Sequence, residues 1–224
     1  MIEHELTGRS PLRAFDPPGE SAAAGRTALV VARAGTGKTA FLVQVAIDAL
    51  LRGQPVLHAS WGETLAHVKS WYEGVWRDLC AGLPAAAARV AWERFEPRRM
   101  LMTFRAGSGT VERLVERLAT LEEDGGFAPR LLVVDGFRLD EKLRADAERL
   151  AKVAGERSLD VWLAARTPHD TDDAATAAAP VAELFGTIVA LEPGPDAVTL
   201  RPLKAAATLP TLRLDPRTML LARG

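Results

Sequence analysis

Residues 28–39, Ala-Leu-Val-Val-Ala-Arg-Ala-Gly-Thr-Gly-Lys-Thr, decide how the chain is read. The apolar run at 28–31 predicts a buried strand, and the apolar-rich run at 40–51 predicts a helix. Between them, residues 32–39 form A-x-x-x-x-G-K-T, a phosphate-loop pattern with Ala32 in place of the first Gly. Gly35 and Gly37 permit backbone conformations that turn successive N–H groups toward one point, and the helix N-terminus behind them adds positive potential. The phosphate contacts expected are Ala34, Gly35, Thr36, Gly37, Lys38, Thr39 and Ala40, with the Lys38 ammonium on the β- and γ-phosphates and the Thr39 hydroxyl on Mg²⁺. The competing reading is a glycine-rich turn with an exposed lysine.

The length of 224 residues suits one sizeable α/β domain, with residues 1–25 as a lead-in and 26–224 as the domain proper. A formal net charge of -1 provides no global attraction to nucleic acid or anionic lipid. The single cysteine, Cys80, has no internal disulfide partner, which points to a reducing cytoplasm and to a buried, inert thiol. The start, Met-Ile-Glu-His-Glu-Leu, lacks the basic flank and apolar core of a signal peptide, and no apolar run approaches membrane-spanning length.

Pro11, Pro17, Pro18 and Gly19 suggest that the lead-in is extended. Beyond the first helix, residues 55–60 predict a second strand and residues 64–76 a second helix, with a short helix in the stretch 77–97. A third strand at 99–104 precedes an amphipathic helix at 110–123 carrying Val111, Leu114, Val115, Leu118 and Leu121 on one face. The continuous apolar run at 131–134 predicts a strand covered on both faces, followed by a helix at 140–157 and another buried strand at 160–165. Short runs at 188–191, 197–203, 211–214 and 219–222, separated by Pro, Gly and Asp, predict hairpins added to one edge of a mostly parallel sheet.

Asp135 ends the run Leu-Leu-Val-Val-Asp. An Asp at the carboxyl end of a parallel strand stands at the ligand-binding edge of such a sheet. There it can hold a water of a Mg²⁺ shell or accept a bond from Thr39.

Together, residues 32–39, the early strand at 55–60, the strand ending in Asp135 and the one ending at Arg166 resemble the RecA-like core ATPases. The terminal pattern Gly-Thr-Ile-Val-Ala-Leu-Glu, Val-Thr-Leu-Arg-Pro-Leu-Lys and Thr-Leu-Arg-Leu-Asp places the resemblance nearest the KaiC-like and DnaB-helicase-like branches. It covers most of the chain, from about residue 28 to residue 221. It implies a three-layer RecA-like phosphate-loop fold, ATP and Mg²⁺ as ligands, and hydrolysis of the γ-phosphate. The absence of Asn removes the Asn-Lys-x-Asp guanine reader of many GTPases.

The resemblance also implies a Glu after the second strand that orients the attacking water. Here Ser-Trp-Gly-Glu-Thr, residues 60–64, puts Gly62 in the first Glu position of the KaiC-like stretch and Glu63 in the second, so Glu63 is the candidate and slow hydrolysis is implied. The alternative is a surface Glu favoured by a helix N-terminus. His58 is read as a core strand residue. Arg166, with Thr167, occupies the place of a polar sensor and is a candidate γ-phosphate contact, or else a solvated strand-end cation. Lys204 matches the lysine that ring-forming relatives extend to a neighbour's nucleotide, but Ala206 stands where their arginine would be.

The stretch at 168–180 holds Asp170, Asp172 and Asp173 and no Lys or Arg, which opposes phosphate-backbone binding, and its composition suggests mobility in isolation. Arg94, Arg98, Arg99 and Arg105, interleaved with Trp92 and Phe95, form the best basic–aromatic group for a nucleic acid. Three functions stay open on these grounds: a slow Mg²⁺-dependent ATPase, a non-hydrolysing regulatory module with a protein partner or self-association, and a single-stranded-DNA-binding accessory protein.

Overall fold

The computed structural model describes residues 2–15, 25–105, 108–138, 141–167, 173–205 and 210–223. Its centre is one nine-stranded sheet in the order β3-β2-β4-β5-β1-β6-β7-β8-β9. The strands are β1 (Thr27–Ala32), β2 (Val56–Trp61), β3 (Arg99–Phe104), β4 (Leu131–Arg138), β5 (Asp160–Arg166), β6 (Thr187–Pro193), β7 (Val198–Lys204), β8 (Leu212–Leu214) and β9 (Leu221–Arg223). The first six run parallel, and β7, β8 and β9 are added antiparallel to one another beyond β6. The chain is thus an α/β protein with a mostly parallel sheet and antiparallel C-terminal hairpins, as the strand pattern predicts.

Parallel strands need long crossovers, and those crossovers cover both faces of the sheet. One face carries α2 (Lys38–Leu51), α3 (Leu65–Leu79) and α4 (Ala85–Phe95), whose Phe41, Ile47, Tyr72 and Phe95 pack on Val30, Val56, Val133 and Ala164. The other carries α5 (Val111–Glu123), α6 (Glu141–Arg157) and α7 (Ala174–Ala178), with Leu114, Leu118, Leu150 and Ala178 on Leu29, Leu57, Leu132 and Leu163. Alternate residues of one strand serve opposite layers, which is why the central strands are apolar throughout. α2 is buried along almost its whole length, so its apolar residues are not confined to one stripe.

Two expectations are corrected. The lead-in is not extended over its described part. Ile2–Arg9 is a helix, α1, and Pro11–Phe15 a 3-10 turn. Acidic residues in the first turn and Arg9 in the last suit the helix dipole, and Pro11 follows the helix instead of interrupting it. Leu12 is buried, and the Phe15 ring meets Trp162 edge-on at 5.5 Å, so this segment packs against the rest of the fold. Residues 16–24 lie outside the described residues.

The strand expected at 131–134 also runs further than its apolar run. β4 continues to Arg138 across a register shift between Val134 and Phe137. Gly136 makes this possible: its φ is +99°, and a Cβ there would come within 2.5 Å of the Trp61 carbonyl oxygen. Within the acidic stretch, the described residues from 173 onward include α7. Asp173 accepts hydrogen bonds from the amides of Ala175 and Thr176, capping α7, and Ala174 and Ala178 are buried against the sheet. Its residues 168–172 lie outside the described residues.

His58 sits wholly inside, as the strand pattern predicts, with Nδ1 3.0 Å from the Tyr72 hydroxyl of α3. The Arg99 guanidinium lies over the Tyr72 ring at 4.6 Å from its centroid. Burial pushes the His58 imidazole down to about 4, with Asp135 pulling it partly back up and Arg99 adding to the fall. The folded protein therefore resists protonation that the unfolded chain accepts near pH 6.5. The resulting stability is complete above pH 6.5 and is lost as pH falls through 4, a change on the order of 3 kcal/mol. Urea unfolding at pH 7.5, 5.5 and 4.5 should show this decline, and His58→Gln should flatten it. An equally steep decline in the variant would place its origin elsewhere.

Candidate functional site

The site forms at the carboxyl edge of the sheet, where β1 and β4 deliver their ends toward α2. These strands are not neighbours, since β5 runs between them. β1 ends in the glycine loop of residues 33–37, and α2 begins at once with Lys38 and Thr39. The loop closes on itself: the Thr36 hydroxyl donates to the Arg33 carbonyl at 2.8 Å, and the Phe41 amide to the Gly37 carbonyl at 2.9 Å. The first N–H groups of α2 have no intrahelical acceptor, so the loop's concave side is a set of donors at a positive helix end.

Gly35 and Gly37 both hold left-handed backbone, with φ of +77° and +93°. Their surroundings differ. Around Gly35 nothing lies within 4 Å of an added Cβ, whereas at Gly37 a Cβ would meet Met219 Cε at 2.4 Å and Leu214 Cδ1 at 2.8 Å. Gly37 is thus a point of close packing between the loop and the C-terminal hairpin. The hairpin is tied to α2 by Gln44, whose Nε2 donates to the Met219 carbonyl at 2.9 Å and whose Oε1 accepts from the Leu221 amide at 2.6 Å. Neither Gln44 nor Met219 is a sequence candidate. The available signal is Gln44 itself, a polar residue inside the apolar run of α2.

Thr39 and Asp135 meet directly. The Thr39 hydroxyl donates to Asp135 Oδ2 at 2.6 Å, and Asp135 is buried. The Lys38 ammonium turns back into the loop and donates to the carbonyls of Arg33 at 2.6 Å and Ala32 at 3.1 Å. Burial lowers the Lys38 pKa, Asp135 raises it and Arg166 lowers it, so both charges are felt at the ammonium. Arg166 belongs to this constellation because it ends β5, the strand between β1 and β4, and pairs in register with Ala32. Lys38, Thr39, Asp135 and Arg166 are therefore brought together from three strands' ends.

Glu63 is placed differently. It precedes α3, which Thr64 caps by accepting from the His67 amide. The Glu63 side chain is half exposed and lies 3.7 Å from His67 Nε2. Gly62 before it has φ of +86°, and its amide donates to the Phe104 carbonyl at 2.9 Å. That left-handed turn favours glycine over a residue with a Cβ. Nearby, Trp61 stacks on Phe104 with centroids 5.1 Å apart and meets Phe137 at 4.9 Å, covering the ends of β2, β3 and β4.

Several of the remaining candidates have structural partners. The Lys204 ammonium donates to the Ala182 carbonyl at 2.9 Å, while Ala206 lies outside the described residues. In the basic–aromatic group, Trp92 and Phe95 pack on each other and on Trp76 of α3, Arg99 also lies over Trp92, Arg94 pairs with Glu3, and Arg98 is exposed. Those rings are spent on packing α3 and α4 together. Cys80 is buried, and burial pushes its thiol up to about 11. Among the described residues no cluster of three or more His, Cys, Asp or Glu could hold a metal, and no helix is long and apolar enough to cross a membrane.

The two glycines yield a graded test. Gly35→Ala should cost about 1–2 kcal/mol, for left-handed backbone alone. Gly37→Ala adds overpacking and should cost about 2–4 kcal/mol. Thermal unfolding of both, with Met219→Ala combined with Gly37→Ala, measures the difference. Partial recovery in the double variant is expected, and equal losses for the two single variants would contradict the packing described.

Neither a family model nor a curated protein matches the chain.

Proposed function

We propose that the chain is a RecA-like phosphate-loop protein that binds ATP with Mg²⁺ and hydrolyses it slowly. The observation that carries this is the 2.6 Å contact between Thr39 and Asp135, with Lys38 beside it at the mouth of α2. A hydroxyl and a carboxylate at this separation suit a small hard cation, which takes few protein oxygens and keeps its other positions for water and phosphate. Thr39 and Asp135 would hold the metal, and its chemistry when bound is to neutralise charge on the β- and γ-phosphate oxygens.

The residues present fit such an occupant. The loop amides and the α2 N-terminus favour an anion. Lys38 exchanges its carbonyl partners, Ala32 and Arg33, for phosphate oxygens. Arg166 adds a second cation on the same side, suited to the charge that develops at the γ-phosphate. Glu63 is the water-positioning carboxylate, and its exposed pairing with His67 supports a slow rate.

A second reading, a regulatory module with nucleotide as a switch, is favoured by Gly62. The carboxylate absent there cannot be restored without straining a turn at φ +86°.

Titration of MgATP into wild type and Lys38→Ala tests the site, with affinity expected to fall at least about tenfold, or 1.4 kcal/mol. Asp135→Asn should raise the Mg²⁺ concentration needed for half-saturation. Equal affinity in wild type and Lys38→Ala would remove the assignment. Single-turnover hydrolysis with Glu63→Gln separates the two readings: turnover lost in the variant supports the ATPase, and turnover absent from both proteins supports the module.

A further inference from the structure

A cavity of about 410 Å³ lies against α2, with Gln44, Ile47, Asp48 and Leu51 in its lining. It lies between the 1–15 segment, the middle of α2, the end of α3 and β9, and its size is that of a small-molecule site. Its walls are mostly aliphatic, with Leu6, Ile47, Leu51, Leu83 and Leu221 prominent. Two exposed guanidinium groups, Arg9 and Arg223, stand among its lining residues.

The charge around the cavity is unequal. The one carboxylate in its lining, Asp48, is buried and already accepts from Arg13 and Arg52 through the same oxygen. Arg9 pairs with Glu5 at 2.9 Å, but both side chains are solvated, and an exposed pair of this kind holds its cation only weakly. Aliphatic walls below cationic groups complement a molecule with an apolar tail and an anionic head.

The cavity wall is also continuous with the glycine loop. Leu221 is held by Gln44, and Met219, two residues earlier, carries the methyl group that fills the space beside Gly37. Asp215 ties this turn together by accepting from the amides of Arg217 and Thr218. Gln44 itself lines the cavity, so an occupant between Ile47 and Leu221 would lie against the side chain that holds Met219 beside Gly37.

The geometry points to a binding site for an anionic amphiphile, a carboxylate on an aliphatic chain, whose occupancy is transmitted to the glycine loop through Leu221, Met219 and Gly37. This stands whether or not the loop takes a triphosphate. Decanoate below its micellar concentration is the probe, with decanol as the uncharged control, and binding is followed by backbone-amide NMR and calorimetry. Decanoate is expected to shift the amides of Ile47, Leu51 and Leu221 and, at the same concentrations, those of Gly37 and Lys38. Arg9→Gln with Arg223→Gln should weaken decanoate at least tenfold and leave decanol within twofold; both side chains are exposed, so unfolding temperature should not move. Ala222→Trp, at the exposed rim, should block both ligands. No shifts at Ile47, Leu51 and Leu221, or equal affinity for decanoate and decanol in wild type, would overturn the site. Shifts there without any at Gly37 and Lys38 would overturn the transmission.

Discussion

A hydrogen bond between Thr39 and Asp135 joins elements that a whole strand separates in the sheet, and the organisation of the site depends on it. Thr39 stands at the start of α2, directly after the loop that ends β1, while Asp135 belongs to β4, which β1 does not touch. For the two to meet, α2 must lie across the end of the intervening strand, β5. That requires the parallel register of β1, β5 and β4 and the apolar face beneath α2. A short polar contact is thus the visible end of a large apolar constraint. The hydrogen bond contributes modestly by itself, and the packing that aligns its partners supplies the order.

The same constraint explains where glycine is needed. Gly136 lets β4 bulge against Trp61 just after Asp135, and bulges commonly re-aim neighbouring side chains. Gly37 lets the loop lie against Met219 and Leu214 of the C-terminal hairpin. The hairpin is therefore more than an extension of the sheet. Through Gln44 it is fastened to the helix that carries Lys38 and Thr39, so the end of the chain and the glycine loop form one packed unit.

A polar seam runs away from the site on the α2 and α3 side of the sheet. Ser60 pairs in register with Asp135, His58 lies two residues before it, and Tyr72 and Arg99 follow outward. Neutral histidine inside this seam lets a hydrogen-bonding group be buried at a lower desolvation cost than an ion. The tautomer that serves Tyr72 leaves Nε2 without a hydrogen-bond partner among the described residues. Such an atom is tolerated where the surrounding packing over-determines the position.

The sequence by itself determined the local units. Strand, glycine loop and helix are adjacent in the chain, so composition and spacing reveal them together, and the apolar run ending in Asp135 identified a doubly covered strand. Alternation and turn residues likewise identified the terminal hairpins. That Asp135 stands beside Thr39 is an expectation from the strand-end pattern, and the fold realises it by running β5 between β1 and β4, an order not written in any one segment. Only tertiary structure decided that residues 2–9 are helical, since their marginal amphipathicity gains its stability from packing on α2 and α4. The close fit of Met219 on Gly37, 182 residues apart in sequence, was likewise out of reach. Local patterns record what a segment prefers, whereas a site depends on which segments the buried apolar faces bring together.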